Sequence, residues 1–311
     1  PARHDMTGQT GQIISPQKIS NSGLNIAGKA ELTHAFDVHA DRVVNCVNCH
    51  YSLNNPVYFQ QRSESRPSHL DFDPRRLTSA DYLTRPLHQL AKGSSSRGLE
   101  ATSSENSMRR CESCHDASQV HEWLPYKRGH FAALACESCH VPKMYGPALQ
   151  VLDQTLVDSK GQPLRYYRDV EGDPTTADSL IQGFSPAMLV RENVGGERKL
   201  APFNLVTHWF WTAGSPREAV TEEQLLGALY RNGRLDADLQ RLLDANDDGA
   251  IGRSELQLQS GDAVARVRQL LENAGLEQAV LAGEVIPYSI SHSVVNGRWA
   301  TRDCRSCHGE D

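Results

Sequence analysis

The sequence lacks several features that would assign it to common protein classes. No run of about 18 apolar residues occurs, so no membrane-spanning helix is predicted. Lysine and arginine number 32 against 38 acidic residues, a formal net charge of −6, which gives no basic footprint for nucleic acid. Cysteine is absent outside four short segments. Neither a membrane span nor a nucleic-acid partner is therefore predicted.

The cysteines of the chain follow one pattern. All eight cysteines lie in four copies of C-x-x-C-H, which we number as motifs. Motif one is Cys46, Cys49 and His50; motif two is Cys111, Cys114 and His115; motif three is Cys136, Cys139 and His140; motif four is Cys304, Cys307 and His308. Two thiols at this spacing can bond to both vinyl groups of one porphyrin, and the following histidine can ligate its iron. The pattern predicts four haem c groups.

Other uses of paired cysteines fit less well. Structural zinc sites also use C-x-x-C pairs but do not require a histidine after every pair. A disulfide framework is typical of short secreted chains, and a thioredoxin-like redox motif occurs singly. Four copies that use every cysteine therefore favour haem.

The axial ligands opposite the motif histidines must come from elsewhere in the chain. Methionine occurs only at Met6, Met108, Met144 and Met188, whereas nine histidines lie outside the motifs. This surplus predicts low-potential haems with two histidine ligands each. The first candidates, chosen for closeness to a motif, are His39, His121, His130 and His292; behind them come His208, His88, His69, His34 and His4. His4 could alternatively reach a haem of a neighbouring subunit.

A second motif predicts one calcium site. Residues 244–255 match the twelve-residue EF-hand loop, with a glycine at the sharp turn, Gly249. The predicted oxygen ligands are Asp244, Asn246, Asp248, the Ala250 carbonyl and Glu255, with Gly252 acting through a water. The alternative is a solvated acidic turn. No second loop is found, so we expect a structural Ca²⁺ site, not a sensor.

The fold predicted from these patterns is mainly α plus irregular, of the multihaem cytochrome c kind, with low β content (one or two hairpins) and an inserted helical EF-hand-like segment. We expect residues 1–146 to carry three haems, residues 147–290 to form a haem-free insertion, and residues 291–311 to return to the haem cluster. Within the insertion, 149–157 and 164–170 predict a hairpin, and 221–272 predict helices that begin at a capping box, Thr221 to Gln224. A helix is also predicted over 131–139, and flanking helical residues at 239–243 and 256–258.

Three stretches resemble known multihaem cytochromes. They are similar to the octahaem tetrathionate-reductase-like group. The stretches are 120–142 (VHEWLPYKRGHFAALACESCHVP), 36–51 (FDVHADRVVNCVNCHY) and 291–308 (SHSVVNGRWATRDCRSCH). The resemblance implies haems with two histidine ligands in closely stacked pairs, and export. The chain departs from that group in having four motifs and no C-x-x-C-K, the motif of a lysine-ligated catalytic haem. In architecture it also resembles tetrahaem subunits of extracellular conductive filaments.

The expected function is electron transfer by four haems, without a catalytic residue, and the favoured form is a subunit of an extracellular electron-conducting filament. We expect a cleaved export signal and an extracellular or periplasmic location, with redox proteins or further copies of the chain as partners. Three alternatives stay open. They are a discrete periplasmic carrier, a reductase of sulfur or nitrogen oxyanions with one open haem, and a calcium-dependent binding module.

Overall fold

The computed structural model describes residues 27, 34, 36–42, 44, 48–49, 109–146, 148–172, 180–192 and 196–309. Several predicted site residues lie outside these ranges. They are Cys46, His50, His4, His69 and His88. Both chain ends also lie outside the described residues.

Short helices and a mixed sheet make up the described part of the chain. The helices are α1 Val38–Asp41, α2 Ala117–Val120, α3 Lys127–Ala133, α4 Glu137–His140, α5 Glu222–Leu229, α6 Ala237–Leu243, α7 Gly261–Asn273 and α8 Arg305–His308, with a 3-10 turn at Cys111–Ser113. The strands are β1 Ala148–Gln154, β2 Leu164–Arg168, β3 Val170–Glu171, β4 Leu180–Ile181, β5 Ala187–Glu192, β6 Arg198–Ala213, β7 Glu218–Ala219, β8 Tyr230–Arg231, β9 Arg234–Leu235 and β10 Val280–Ser289.

The long strand β6 organises a six-stranded sheet. The order is β10-β6-β1-β2, and β5 and β7 also pair with β6. β1 runs parallel to β6, with Val151 opposite Thr207, whereas β5 runs antiparallel, with Val190 opposite Leu200. The run from Ala201 to Trp211 is rich in apolar and aromatic residues, most of them buried, which is typical of a strand covered on both faces.

The predicted fold class is wrong. The structure is mixed α/β, with a substantial strand content and a six-stranded sheet, where the sequence analysis expected mainly α structure and one or two hairpins. The predicted hairpin is present as the neighbouring strands β1 and β2. The sequence analysis missed the local pairings of β6 with β5 and β7. The pairings of β6 with β1 and β10 span long sequence separations, which a local pattern does not reveal.

The chain divides into two compact units. Unit 1 comprises residues 1–147, 168–204 and 287–311, and unit 2 comprises residues 148–167 and 205–286. The described residues of motifs one to four all belong to unit 1, and the EF-hand-like loop belongs to unit 2. Residues 168–204, which the sequence analysis assigns to the insertion, group with unit 1.

Unit 2 has a continuous hydrophobic core. Trp211, fully buried, packs there with apolar residues of α5, α6 and α7, including Leu225, Leu239 and Val267. The predicted capping box is confirmed, because the Thr221 side chain accepts from the Gln224 amide while the Gln224 side chain accepts from the Thr221 amide. Residues 239–243 are helical as predicted, but 256–258 are not, since α7 begins only at Gly261.

Unit 1 has short helical turns joined by irregular segments. The predicted helix over 131–139 is wrong in its continuity: α3 ends at Ala133, Leu134 is extended, and α4 begins at Glu137. The break allows the Ala135 amide to donate to the Leu200 carbonyl at 2.8 Å, which joins this segment to β6. No helix in the described ranges is long and apolar enough to cross a bilayer.

Candidate haem-binding centres

Motifs two, three and four each lie on a single helical turn. Motif two spans the 3-10 turn, motif three forms α4 with Cys136 as its N-cap, and motif four forms α8 with Cys304 as its N-cap. Residues three apart in a helix lie on the same face, so each turn presents both thiols of its motif to one side. The six described cysteines of motifs two, three and four form no disulfide, so their thiols can take part in thioether attachment.

The structure brings three motif histidines opposite three histidines from outside the motifs. The ring centres of His39 and His115 are 6.1 Å apart, with 50° between the ring planes. His121 faces His140 at 5.9 Å and 87°, and His130 faces His308 at 6.1 Å and 85°. Each pair joins a histidine of motif two, three or four to one of the first-ranked candidates from the sequence.

These separations match two imidazoles on opposite sides of one iron. An imidazole nitrogen binds a metal at about 2.0–2.1 Å and its ring centre lies about 1 Å further away, so two such rings have centres about 6 Å apart. Direct edge-to-face contacts between rings span about 4.5–7 Å as well, so it is the membership of one ring of each pair in a C-x-x-C-H motif that points to a shared iron. The residues present therefore fit three haems, each held by two thiols and two imidazoles.

Hydrogen bonds orient three of these rings so that Nε2 is left for a metal. The Nδ1 atoms of His121, His130 and His140 lie 3.0, 2.9 and 2.9 Å from the carbonyl oxygens of Ala117, Pro125 and Val295. A carbonyl that accepts from Nδ1 fixes the neutral tautomer with an unprotonated Nε2, the form that ligates a metal. Burial also lowers the pKa of His140, which favours this neutral form.

The N-terminal cap of helix α1 positions His39. Asp37 is the N-cap of α1, and its Oδ1 accepts from the amides of His39 and Ala40 at 2.8 and 3.1 Å. Its Oδ2 accepts from the Val294 amide at 3.2 Å, which links α1 to the segment before motif four. The sequence analysis missed Asp37, because the partner that identifies its role lies far away in the sequence.

His121 follows α2 directly. The N-cap of this helix is Asp116, whose side chain accepts from the Ser118 amide at 3.0 Å and from the Ser118 hydroxyl at 2.6 Å. These bonds lower the pKa of the Asp116 carboxyl. The capped turn brings the Ala117 carbonyl to the His121 ring.

Thiols of different motifs also meet. A hydrogen bond with Cys136, followed by burial, raises the pKa of the Cys111 thiol, so motifs two and three are in contact. Burial raises the pKa of the Cys139 thiol, and Cys307 of motif four adds to this effect. Motif three therefore interacts with both motif two and motif four.

The remaining histidines are placed differently. His208 is buried in unit 2, with Nε2 3.0 Å from Gln154 Oε1 and Nδ1 3.4 Å from Glu284 Oε1, so both nitrogens face side-chain oxygens. His34 stacks on Trp299, with ring centres 4.5 Å apart. His292 lies two residues before Val294, whose amide donates to Asp37 Oδ2 and whose carbonyl accepts from the Val38 amide.

The EF-hand-like loop is closed by its own hydrogen bonds. Asp244 accepts from the amides of Asp248 and Gly249 at 3.1 and 2.8 Å, and Glu255 accepts from the Gly252 amide at 2.9 Å. Gly249 has φ +78°, as the sharp turn needs. Among the described residues, no group of three or more His, Cys, Asp or Glu side chains is arranged to hold a metal ion. The loop also lacks the helix that should follow it.

Comparisons with known proteins give one likeness. No family model matches the chain, and no curated protein matches it. Among solved structures, the chain is similar to an octahaem cytochrome c from Shewanella oneidensis, at 15% identity and a TM-score of 0.36. The likeness covers 91% of this chain and 62% of that cytochrome. A TM-score of this size does not establish a shared fold.

Proposed function

We propose that this protein is a tetrahaem c-type cytochrome that carries electrons. The observation that carries the proposal is the set of three histidine pairs, each across a gap that fits one iron, each containing a motif histidine. The paired thiols of the C-x-x-C-H sequences would supply the covalent attachment, and those of motifs two, three and four are not in disulfides. No catalytic residue is proposed.

The chain contributes attachment, axial ligation and shielding. A bound haem supplies an iron that gains and loses one electron. At motifs two, three and four the paired histidines would hold a bound haem iron on both faces, which would leave no coordination position there for a substrate. This arrangement favours electron transfer over reduction of an oxyanion at those three centres.

The thiol contacts support a continuous path. Motif three is hydrogen-bonded to motif two through Cys136, which meets Cys111 and Glu112, and Cys139 of motif three interacts electrostatically with Cys307 of motif four. We therefore place the haem of motif three between the other two. Electrons arriving at motif two or motif four would pass through it.

For motif one we propose His292 as the axial partner of His50. The Arg109 amide donates to the Cys49 carbonyl of motif one at 2.9 Å. The next residue, Arg110, and the neighbour of His292, Ser291, both meet the Glu137 carboxylate, at 3.9 and 3.2 Å, which brings the two segments together in unit 1. His208 is left out, since both of its ring nitrogens are engaged in unit 2.

The first experiment measures haem content and spin state of the exported, purified protein. Intact-mass spectrometry and mapping of haem peptides should find covalent haem at all four motifs. The spectrum of the oxidised protein should contain only six-coordinate, low-spin iron. Zinc in place of haem would overturn the proposal, and one high-spin centre at motif one would instead favour the reductase alternative.

Further parts of the proposal concern location, assembly and calcium. Export to the periplasm or cell surface follows from c-type haem attachment, and assembly with further copies follows from the likeness in architecture to filament subunits. Electron microscopy of the haem-loaded protein separates regular fibres from single particles. The predicted ligands of residues 244–255 remain a proposal for one Ca²⁺ ion, tested below.

A further inference from the structure

A buried ion cluster lies inside unit 1. Glu137 and Arg191 are 4% and 3% exposed. Arg191 donates from Nη1 and Nη2 to Glu137 Oε1, both at 3.3 Å, and from Nη2 to Oε2 at 3.3 Å. The Ser291 hydroxyl donates to Oε1 at 3.2 Å, and Arg110 Nη1 lies 3.9 Å from that oxygen. A carboxylate and two guanidinium groups thus share one site with little access to water.

The cluster lies beside two of the candidate centres. Glu137 directly follows Cys136 of motif three, and Arg110 directly precedes Cys111 of motif two. The Glu137 carboxylate interacts electrostatically with the Cys111 thiol and with the His140 imidazole. Its charge therefore acts on attachment and ligand residues of both motifs.

Buried charges change reduction potentials in a direction set by their sign. Ferric iron carries one more positive charge than ferrous iron, so a nearby carboxylate stabilises the oxidised state and a nearby guanidinium stabilises the reduced state. The effect is largest where the protein excludes water, because the effective dielectric constant is low there. Exposed charges are screened by solvent and salt.

We infer that the Glu137 carboxylate lowers, and the Arg191 guanidinium raises, the reduction potentials of the haems held by motifs two and three. Arg110 acts in the same sense as Arg191. These are positioning residues that act on the irons through charge. The inference rests on the proposed haem attachment.

The sequence supplies a matched control. Motif two and motif three are the same pentapeptide, Cys-Glu-Ser-Cys-His, and Glu112 occupies in motif two the position that Glu137 occupies in motif three. Glu112 is exposed, whereas Glu137 is buried. The same substitution at these two positions therefore separates the effect of burial from that of the local sequence.

The experiment is a redox titration of the haem-loaded protein, followed in the visible spectrum. The variants are Glu137→Gln, Arg191→Gln, the two together, and Glu112→Gln as control. Glu137→Gln should raise the midpoint of the titration and Arg191→Gln should lower it. The double variant should lie near the wild type, since one charge of each sign is removed. Glu112→Gln should produce a smaller shift than Glu137→Gln.

Each outcome is decisive because haem content is measured on every variant. Arg191→Lys keeps the charge and should keep the wild-type midpoint even if the protein becomes less stable. Two results would overturn the inference in a protein that keeps four attached haems. One is a midpoint shift of the same sign in Glu137→Gln and Arg191→Gln; the other is that neither variant shifts the midpoint more than the control Glu112→Gln does. A wild-type protein without covalent haem would overturn the proposed function as well.

Discussion

Replacement of His121 by alanine tests the histidine pairs most directly. The His121 ring centre is 5.9 Å from that of His140, and its other ring neighbours are Trp123 at 6.4 Å and Phe131 at 5.5 Å. Neither neighbour carries an atom that replaces an imidazole as an iron ligand, because an indole N–H only donates and a phenyl ring has no lone pair. The variant therefore has no substitute ligand among these rings.

The expected magnitude follows from the geometry. The midpoint between the paired rings is about 3 Å from each ring centre, within bonding distance of an imidazole nitrogen but beyond the reach of an alanine side chain. One haem in four should lose its sixth protein ligand. About a quarter of the ferric iron should then change from low spin to high spin, while the haem count is unchanged.

The assay is spin quantification by electron paramagnetic resonance, with the absorption spectrum of the same sample. Added imidazole should restore the low-spin spectrum. His208→Ala is the matched control, since His208 is buried but has both nitrogens bound to Gln154 and Glu284. A fully low-spin His121→Ala protein, or a high-spin signal in His208→Ala, would refute the proposed pairing.

Three further predictions concern other parts of the chain. His292→Ala should convert about a quarter of the iron to high spin, by the same reasoning on axial ligation, whereas His34→Ala should not. Calcium at 100 times its dissociation constant should stabilise unit 2 by about 2.7 kcal/mol in thermal unfolding, and Glu255→Gln should abolish this gain. Asp236→Ala should destabilise unit 2 by about 1–2 kcal/mol, because Asp236 caps α6 and binds Arg266 at 2.8 and 2.7 Å. Its hydrogen bonds with Arg266 lower the pKa of Asp236, so this contribution is complete above the unfolded pKa of about 3.9 and is lost as pH falls through the lower folded pKa.

Each of these predictions has its own control. A high-spin signal from His34→Ala alone would assign the motif-one ligand to His34. Calcium that stabilises the wild type and Glu255→Gln equally would place its binding elsewhere. Asp238→Ala removes a more exposed partner of Arg266 that does not cap α6, and should cost under about 0.5 kcal/mol. Equal losses for Asp236→Ala and Asp238→Ala, or a difference independent of pH between 2 and 6, would contradict the capping argument.

Local sequence patterns predicted the elements whose partners are near in the chain. The capping box at Thr221, the β1–β2 hairpin and the helix over 239–243 all depend on residues only a few positions apart. The same reasoning failed for 131–139, where a hydrogen bond from Ala135 to Leu200 accompanies a break in the predicted helix. It failed again at 256–258, where no helix follows the loop.

The predicted mainly α fold was wrong for a related reason. β6 pairs with β1, β5, β7 and β10, and its parallel pairing with β1 joins residues more than fifty positions apart. Propensity and alternation identify a segment able to be a strand, but they do not say which other strand it will bond. The pairings of β6 with β1 and β10 therefore could not be read from local patterns, whereas those with β5 and β7 are local hairpins that the sequence analysis missed.

The sequence alone determined the chemistry: four C-x-x-C-H motifs, a surplus of histidine, and a ranking that placed His39, His121 and His130 among the first candidates. Only the tertiary structure decided that His39 faces motif two, His121 motif three and His130 motif four. It also decided that Glu137 is buried with Arg191 while the identical position in motif two is exposed. The physical reason is that covalent attachment depends on the local spacing of thiols, whereas axial pairing and burial depend on contacts between distant segments.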